Sequence, residues 1–332
     1  VSERGSTPAW VDAMQRADID VLLLGREANA RAVAATRRLW LAGTRSFSPT
    51  CVAVREPTAV HVLANSDDAV PDGFPREHLF GITWNPATLL ERLMAIPGVA
   101  SARRVGVDGM TPFMHSLLAD ALPAVTFVDA APVLTELWRD HTAERVEAVR
   151  AAGAVARAGL DAMAAELRPG VRARMLRGTC AATFGRLGVT TPAFEGVAAP
   201  LERGGSSWLA PERLFDDGEL VVLRAGALRE GWEASLARTF RVGAEAHAEP
   251  TPAAWDDVIA ACCAGVTAGD LRQRRAIVYG AGRGVEPWDD DYELTPGALV
   301  AVEVEEVGTN GARLSIRQDV VLVTTASPEL LT

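Results

Sequence analysis

Apolar and polar residues follow two different periods along this chain. Val21-Leu22-Leu23-Leu24 is an unbroken apolar run closed by Gly25 and predicts a buried strand, and residues 30–39 read as a helix after it. Cys51-Val52-Ala53-Val54 and Val60-His61-Val62-Leu63 flank Glu56-Pro57-Thr58, which predicts a hairpin. A helical stretch at 86–94, a strand at Val105-Gly106-Val107, a helix at 112–122 and a strand at Val125-Thr126-Phe127-Val128 continue the alternation. The pattern predicts an α/β layer.

The pattern breaks near Arg139. Thr142 is placed to cap a helix whose apolar positions Val146, Val149, Ala152, Ala156, Leu160 and Met163 recur at spacings of three and four, with Glu144 in its first turn. Pro169-Gly170 stops it, and a second helix is predicted from about 172 to 187 with Gly188 as its stop. Strands follow at Leu220-Val221-Val222-Leu223, 232–242, 299–307 and 313–324, the last two joined through the hairpin signal Gly308-Thr309-Asn310-Gly311. One further helix carries Trp255, Val258, Ile259, Cys262 and Val266 on its apolar side. Helices first and antiparallel strands afterwards predict an α+β second domain, 140–332, behind an α/β first domain, 1–139.

Composition narrows the function. A length of 332 residues suits two domains with large cores. The net charge of −10 argues against a general nucleic-acid binder, whose affinity rests on clustered cations. No apolar stretch approaches the ~20 residues that cross a bilayer, and the polar start carries no signal core, so a cytoplasmic protein without membrane contact is expected. Cys51, Cys180, Cys262 and Cys263 show neither paired spacing nor CxxC, so no disulfide scaffold or thiolate zinc site is expected. All 33 basic residues are arginine, which removes every reaction that needs a lysine Schiff base.

Eight segments of the second half stand in a telling order. They are Arg168-Pro169-Gly170-Val171, Pro192-Ala193-Phe194, Asp217 through Leu223, Arg238-Thr239-Phe240-Arg241-Val242-Gly243, Tyr279 through Gly284, Leu294-Thr295-Pro296-Gly297, Val300-Ala301-Val302-Glu303 and Gln318 through Thr324. In this order the chain resembles the creatinase, prolidase and aminopeptidase P family. The resemblance implies a pita-bread catalytic domain, shared with methionine aminopeptidase, behind a smaller creatinase-like α/β domain. It also implies a homodimer in which the small domain of one chain borders the partner's cleft.

The family's hydrolases hold two divalent metals with two aspartates, one histidine and two glutamates. At the matching positions this chain has Arg224 and Ser235 for the aspartates, Tyr279 for the histidine, and Glu303 and Gln318 for the glutamates. A further family histidine falls at or beside Trp208. Only Glu303 keeps its chemistry. Two divalent ions need several anionic oxygens or imidazoles, and a guanidinium among them repels a divalent cation by several kcal/mol, about what like charges a few ångströms apart exert in a protein. No metal and no other cofactor is expected.

The substituted positions suggest roles of their own. Arg224 reads either as an internal ion-pair partner filling an abandoned metal site, or as the receptor of an anionic substrate group. Glu303 is the candidate general base and Tyr279 the candidate acid or hydrogen-bond donor. Ser235 and Gln318 line the site, and Trp208 shapes an apolar pocket. The expected function is metal-independent acid/base chemistry (isomerisation, elimination, cyclisation, decarboxylation or C–N cleavage) on a small, anionic, amino-acid-like substrate. The competing expectation is an inactive pseudo-peptidase that binds a ligand or serves as a scaffold. Gly280-x-Gly282-x-Gly284 is explained by the resemblance better than by a phosphate loop. The five histidines read as surface or packing residues, and Asp289-Asp290-Asp291 as a solvated loop.

Overall fold

The computed structural model describes residues 8–36, 49–64, 70–81, 83, 85–139, 142–189, 192–201, 212–229, 231–243, 250–282 and 287–332. The chain divides into two compact units, Val1–Trp138 and Arg139–Thr332.

The first unit contains α1 (Ala9–Arg16), β1 (Val21–Leu24), α2 (Glu27–Ala34), β2 (Cys51–Val54), β3 (Ala59–Val62), α3 (Pro86–Met94), β4 (Arg104–Asp108), α4 (Pro112–Ala121), β5 (Thr126–Asp129) and α5 (Ala131–Leu137). Its sheet runs β3-β2-β1-β4-β5. β1, β4 and β5 are parallel, and β2 and β3 form the expected antiparallel hairpin. All four residues of β1 are buried, which is why that strand reads as continuous apolar sequence rather than as an alternation. α3 and α4 each begin with a proline behind a capping side chain, Asn85 and Thr111 respectively.

The first helix after β1 starts earlier than its apolar pattern suggests, at Glu27, and ends at Ala34 with Ala35 in the left-handed region; residues 37–39 lie outside the described residues. The cause is remote in sequence. The Asp108 carboxylate at the end of β4 accepts hydrogen bonds from the amides of Gly25 (2.5 Å) and Arg26 (3.2 Å) and from Asn29 Nδ2 (2.5 Å), so it anchors the start of α2.

The second unit contains α6 (Ala143–Ala165), α7 (Ala173–Arg186), β6 (Val197–Pro200), β7 (Leu220–Arg229), β8 (Trp232–Arg241), α8 (Trp255–Ala261), α9 (Ala268–Gln273), β9 (Ala276–Gly280), β10 (Leu299–Val307), β11 (Arg313–Leu322) and β12 (Glu329–Leu330). Thr142 caps α6 as expected, its Oγ1 accepting from the Arg145 amide. Gly159 lets α7 approach α6, since a Cβ there would lie 2.4 Å from Phe184 Cε1. The helix expected to carry Trp255 through Val266 is shorter, and Cys262 and Val266 lie beyond it. α8 stops before Cys262, Gly265 turns the chain at φ +88°, and Thr267 opens α9 with a Thr267/Asp270 capping box.

The strands form an antiparallel sheet in the order β6-β7-β8-β11-β10-β9, with β12 on β11. Leu160 and Met163 of α6 pack with Val221, Leu223, Ala225 and Leu236 in one core, so this helix covers one face of the sheet. Register assigns the other face. Arg224 lies opposite Ala237, Ala237 opposite Gln318, Gln318 opposite Glu303, and Glu303 opposite Ile277. Opposed residues project to the same side, and alternation brings Ser235 and Tyr279 to that side as well.

Candidate active site

Five of the residues singled out in the sequence meet on the sheet face turned away from α6. β7 supplies Arg224, β8 Ser235, β9 Tyr279, β10 Glu303 and β11 Gln318. Arg224 is completely buried, and Gln318, Glu303 and Tyr279 are 3%, 5% and 6% exposed. Arg224 Nη1 donates to Glu303 Oε2 at 2.6 Å and to Gln318 Oε1 at 3.0 Å. Gln318 Nε2 donates in turn to Ser235 Oγ at 2.9 Å. The result is a chain of contacts across four strands: carboxylate, guanidinium, amide, hydroxyl.

Every link follows from the pairing of the strands. Glu303 and Gln318 are direct cross-strand neighbours, and Ala237, which stands between Gln318 and Arg224, is small enough for the long arginine side chain to reach over it. The network matters because a buried guanidinium or carboxylate without a partner is costly, whereas here each is matched. Burial raises the Tyr279 pKa well above the ordinary phenol value, and the nearby Glu303 charge adds to this while Arg224 opposes it. The phenol therefore stays protonated and can donate a hydrogen bond.

Glu303 belongs to two environments. Besides its contact with Arg224 it lines a cavity of about 400 Å³, together with Arg272, Arg275, Ile277, Glu305 and Val307. That volume lies in the range of small-molecule sites. Trp208 lies outside the described residues, as do His141, His247, Arg283 and Gly284. His61 is buried and its ring lies 4.4 Å from that of His78 in the first unit. Among the described residues, no group of three or more His, Cys, Asp or Glu side chains is arranged to hold a metal ion.

Sequence reasoning missed a second charged cluster on the opposite face of the same sheet. Arg238, 2% exposed, donates through Nη2 to Asp319 Oδ1 at 2.5 Å, and through Nη1 to the carbonyls of Ala237 (2.8 Å) and Gln318 (2.7 Å). Asp319 is fully buried and also accepts from Arg317 Nε at 3.1 Å and Thr332 Oγ1 at 2.9 Å, with Arg157 of α6 at 4.0 Å. Arg238 and Asp319 stand in two of the eight ordered segments, but nothing in those signalled a pair, and Asp319, adjacent to Gln318 in its strand, points to the opposite face.

Residues 147–279 match the model of metallopeptidase family M24. No curated protein sequence matches the chain. Among solved structures, the prolidase from Pyrococcus horikoshii is similar at 16% identity and a TM-score of 0.74, over 98% of this chain and 96% of that one. The prolidase from Pyrococcus furiosus is similar at 18% identity and 0.71, over 98% of each chain. The Xaa-Pro dipeptidase from Bacillus anthracis is similar at 18% identity and 0.68, over 98% of this chain and 96% of that one. No helix among the described residues is long and apolar enough to cross a membrane. Residues 147–279 are thus similar to metallopeptidase family M24, and the fold is the pita-bread fold of these prolidases.

Proposed function

We propose that the second unit is a metal-independent enzyme that performs acid/base chemistry on a small carboxylate-bearing, amino-acid-like molecule. The observation that carries this reading is the 2.6 Å contact between Arg224 Nη1 and Glu303 Oε2. Five positions that would have to ligate two divalent ions offer one carboxylate, one amide, one hydroxyl, one phenol and one guanidinium, and the guanidinium already occupies the carboxylate. That set does not fit a dinuclear centre, because desolvating divalent cations demands several anionic oxygens. The chain therefore departs from the prolidases and the Xaa-Pro dipeptidase whose fold it shares.

The remaining groups support proton transfer. Glu303 is held in one place by Arg224 and borders the cavity, so it is the proton acceptor. Tyr279 remains protonated and supplies a hydrogen bond to negative charge that develops on the substrate. Of the two readings of Arg224, its complete burial and its bonds to Glu303 and Gln318 favour the internal ion pair over the anion receptor. The same buried pairing favours a second reading, a binding protein without turnover. The two part on Glu303→Gln: loss of turnover with binding intact supports the enzyme, and a change in binding alone supports the second reading. The protein is further proposed to work in the cytoplasm as a homodimer.

Metal content tests the proposal. After incubation with Mn²⁺, Co²⁺ and Zn²⁺ and removal of free ions, mass spectrometry is expected to find far less than one metal per chain. Stoichiometric metal near two per chain, with cleavage of Xaa-Pro peptides, overturns it.

A further inference from the structure

One charged residue of the cavity beside Glu303 lacks an ionic partner among the described residues. Glu303 is paired with Arg224, Glu305 with Arg313, and Arg272 with Asp290. Arg275 lines the same cavity and is exposed, and among the described residues no carboxylate pairs with it. Among the described residues, Arg275 is thus the charged group of this lining that has no ionic partner.

The backbone at this point is also unusual. Arg275 directly follows the C-cap of α9 and has φ +68°, the left-handed region that glycine fills most readily at such a position. An arginine there, in a conformation L side chains disfavour, puts a guanidinium at the turn that leads into β9, four residues before Tyr279.

We infer that this cavity binds a small monocarboxylate, with Arg275 as the anchor of its carboxylate and the rest of the molecule directed toward Glu303. The inference rests on the reading of this sheet face as the active site, and it assigns the anion-binding role to Arg275 in place of Arg224. A single unpaired guanidinium favours a carboxylate over a phosphate monoester, which carries between one and two negative charges at neutral pH. The planar fork of the guanidinium suits two carboxylate oxygens at once. A cavity of about 400 Å³ leaves room for a compact organic body behind that group.

The test measures direct binding rather than turnover, so its result stands apart from whether Glu303 moves protons. Benzoate, benzamide, benzylammonium and phenyl phosphate share one ring and differ in charge. With the full-length protein, saturation-transfer NMR at millimolar ligand is expected to show benzoate bound in preference to the other three. Arg275→Gln, an exposed substitution, is expected to weaken benzoate about tenfold or more, while Arg275→Lys retains part of the affinity. Glu303→Gln is expected to keep benzoate binding. Failure of the wild type to bind benzoate, equal binding by Arg275→Gln, or benzamide binding as tightly as benzoate each overturns the inference. If Glu303→Gln turns over substrate normally while Arg275→Gln loses benzoate, the acid/base reading fails and the anchor stands.

Discussion

The two faces of the large sheet carry the same pair of chemical groups to different ends. On one face Arg224 meets Glu303, and on the other Arg238 meets Asp319. Both pairs are buried near the sheet centre, and Gln318 and Asp319 are neighbours on β11. Asp319 is enclosed: it accepts from two arginines and a threonine, and α6 brings a third arginine close. Burial lowers the Arg238 pKa, although Asp319 acts against this. Glu303 instead divides its surroundings between a guanidinium and a cavity. An ion pair alone therefore says little about function. What distinguishes the site is whether its carboxylate also faces space that a ligand can enter.

The sharpest way to break the comparison is to remove one member of each ion pair. Asp319→Ala leaves Arg238 buried without its counter-ion and is expected to destabilise the second unit by about 3–5 kcal/mol in urea unfolding. Arg224→Met is expected to cost less, about 2–3 kcal/mol, because Glu303 can take water from the cavity it borders. Adding Glu303→Leu to Arg224→Met should recover most of that loss, since an apolar pair can replace a buried ion pair. Equal losses for Asp319→Ala and Arg224→Met, with no recovery in the double variant, would mean that both faces are equally structural.

This contrast also separates what was legible in the sequence from what was not. The α6 cap at Thr142, the β2–β3 hairpin and the β10–β11 turn at Gly308–Gly311 are written in local chemistry, and each is present in the structure. The convergence of Arg224, Ser235, Tyr279, Glu303 and Gln318 came from segment order, a nonlocal signal that the resemblance supplied. Arg238 and Asp319 stand in two of the same segments, but nothing there marked them as partners. They are 81 positions apart, and only the register of β8 on β11 brings them together. Local pattern failed in the same way at α2, whose start is set by Asp108, and at Arg275, whose significance lies in the pairing of the charges around it.

The mildest test concerns Tyr279 and sharpens the comparison without disturbing the fold. The chain has two tyrosines, Tyr279 and Tyr292, so phenolate absorbance can be followed in a small system. Burial first, and then the Glu303 charge, raise the Tyr279 pKa above its ordinary value near 10. The folded protein thus holds this proton at pH values where the unfolded chain releases it. The contribution of Tyr279 to stability is complete below about pH 10 and is lost as the pH climbs toward the folded-state pKa. Alkaline titration should accordingly show Tyr279 ionising late, and Glu303→Gln should bring that step to lower pH by removing a neighbouring negative charge. A conservative change on the other face, Asp319→Asn, should leave the step where it was wherever the protein remains folded. A shift with Asp319→Asn as large as with Glu303→Gln would show that the two networks communicate through β11, and the division between a closed structural face and an open chemical face would fall.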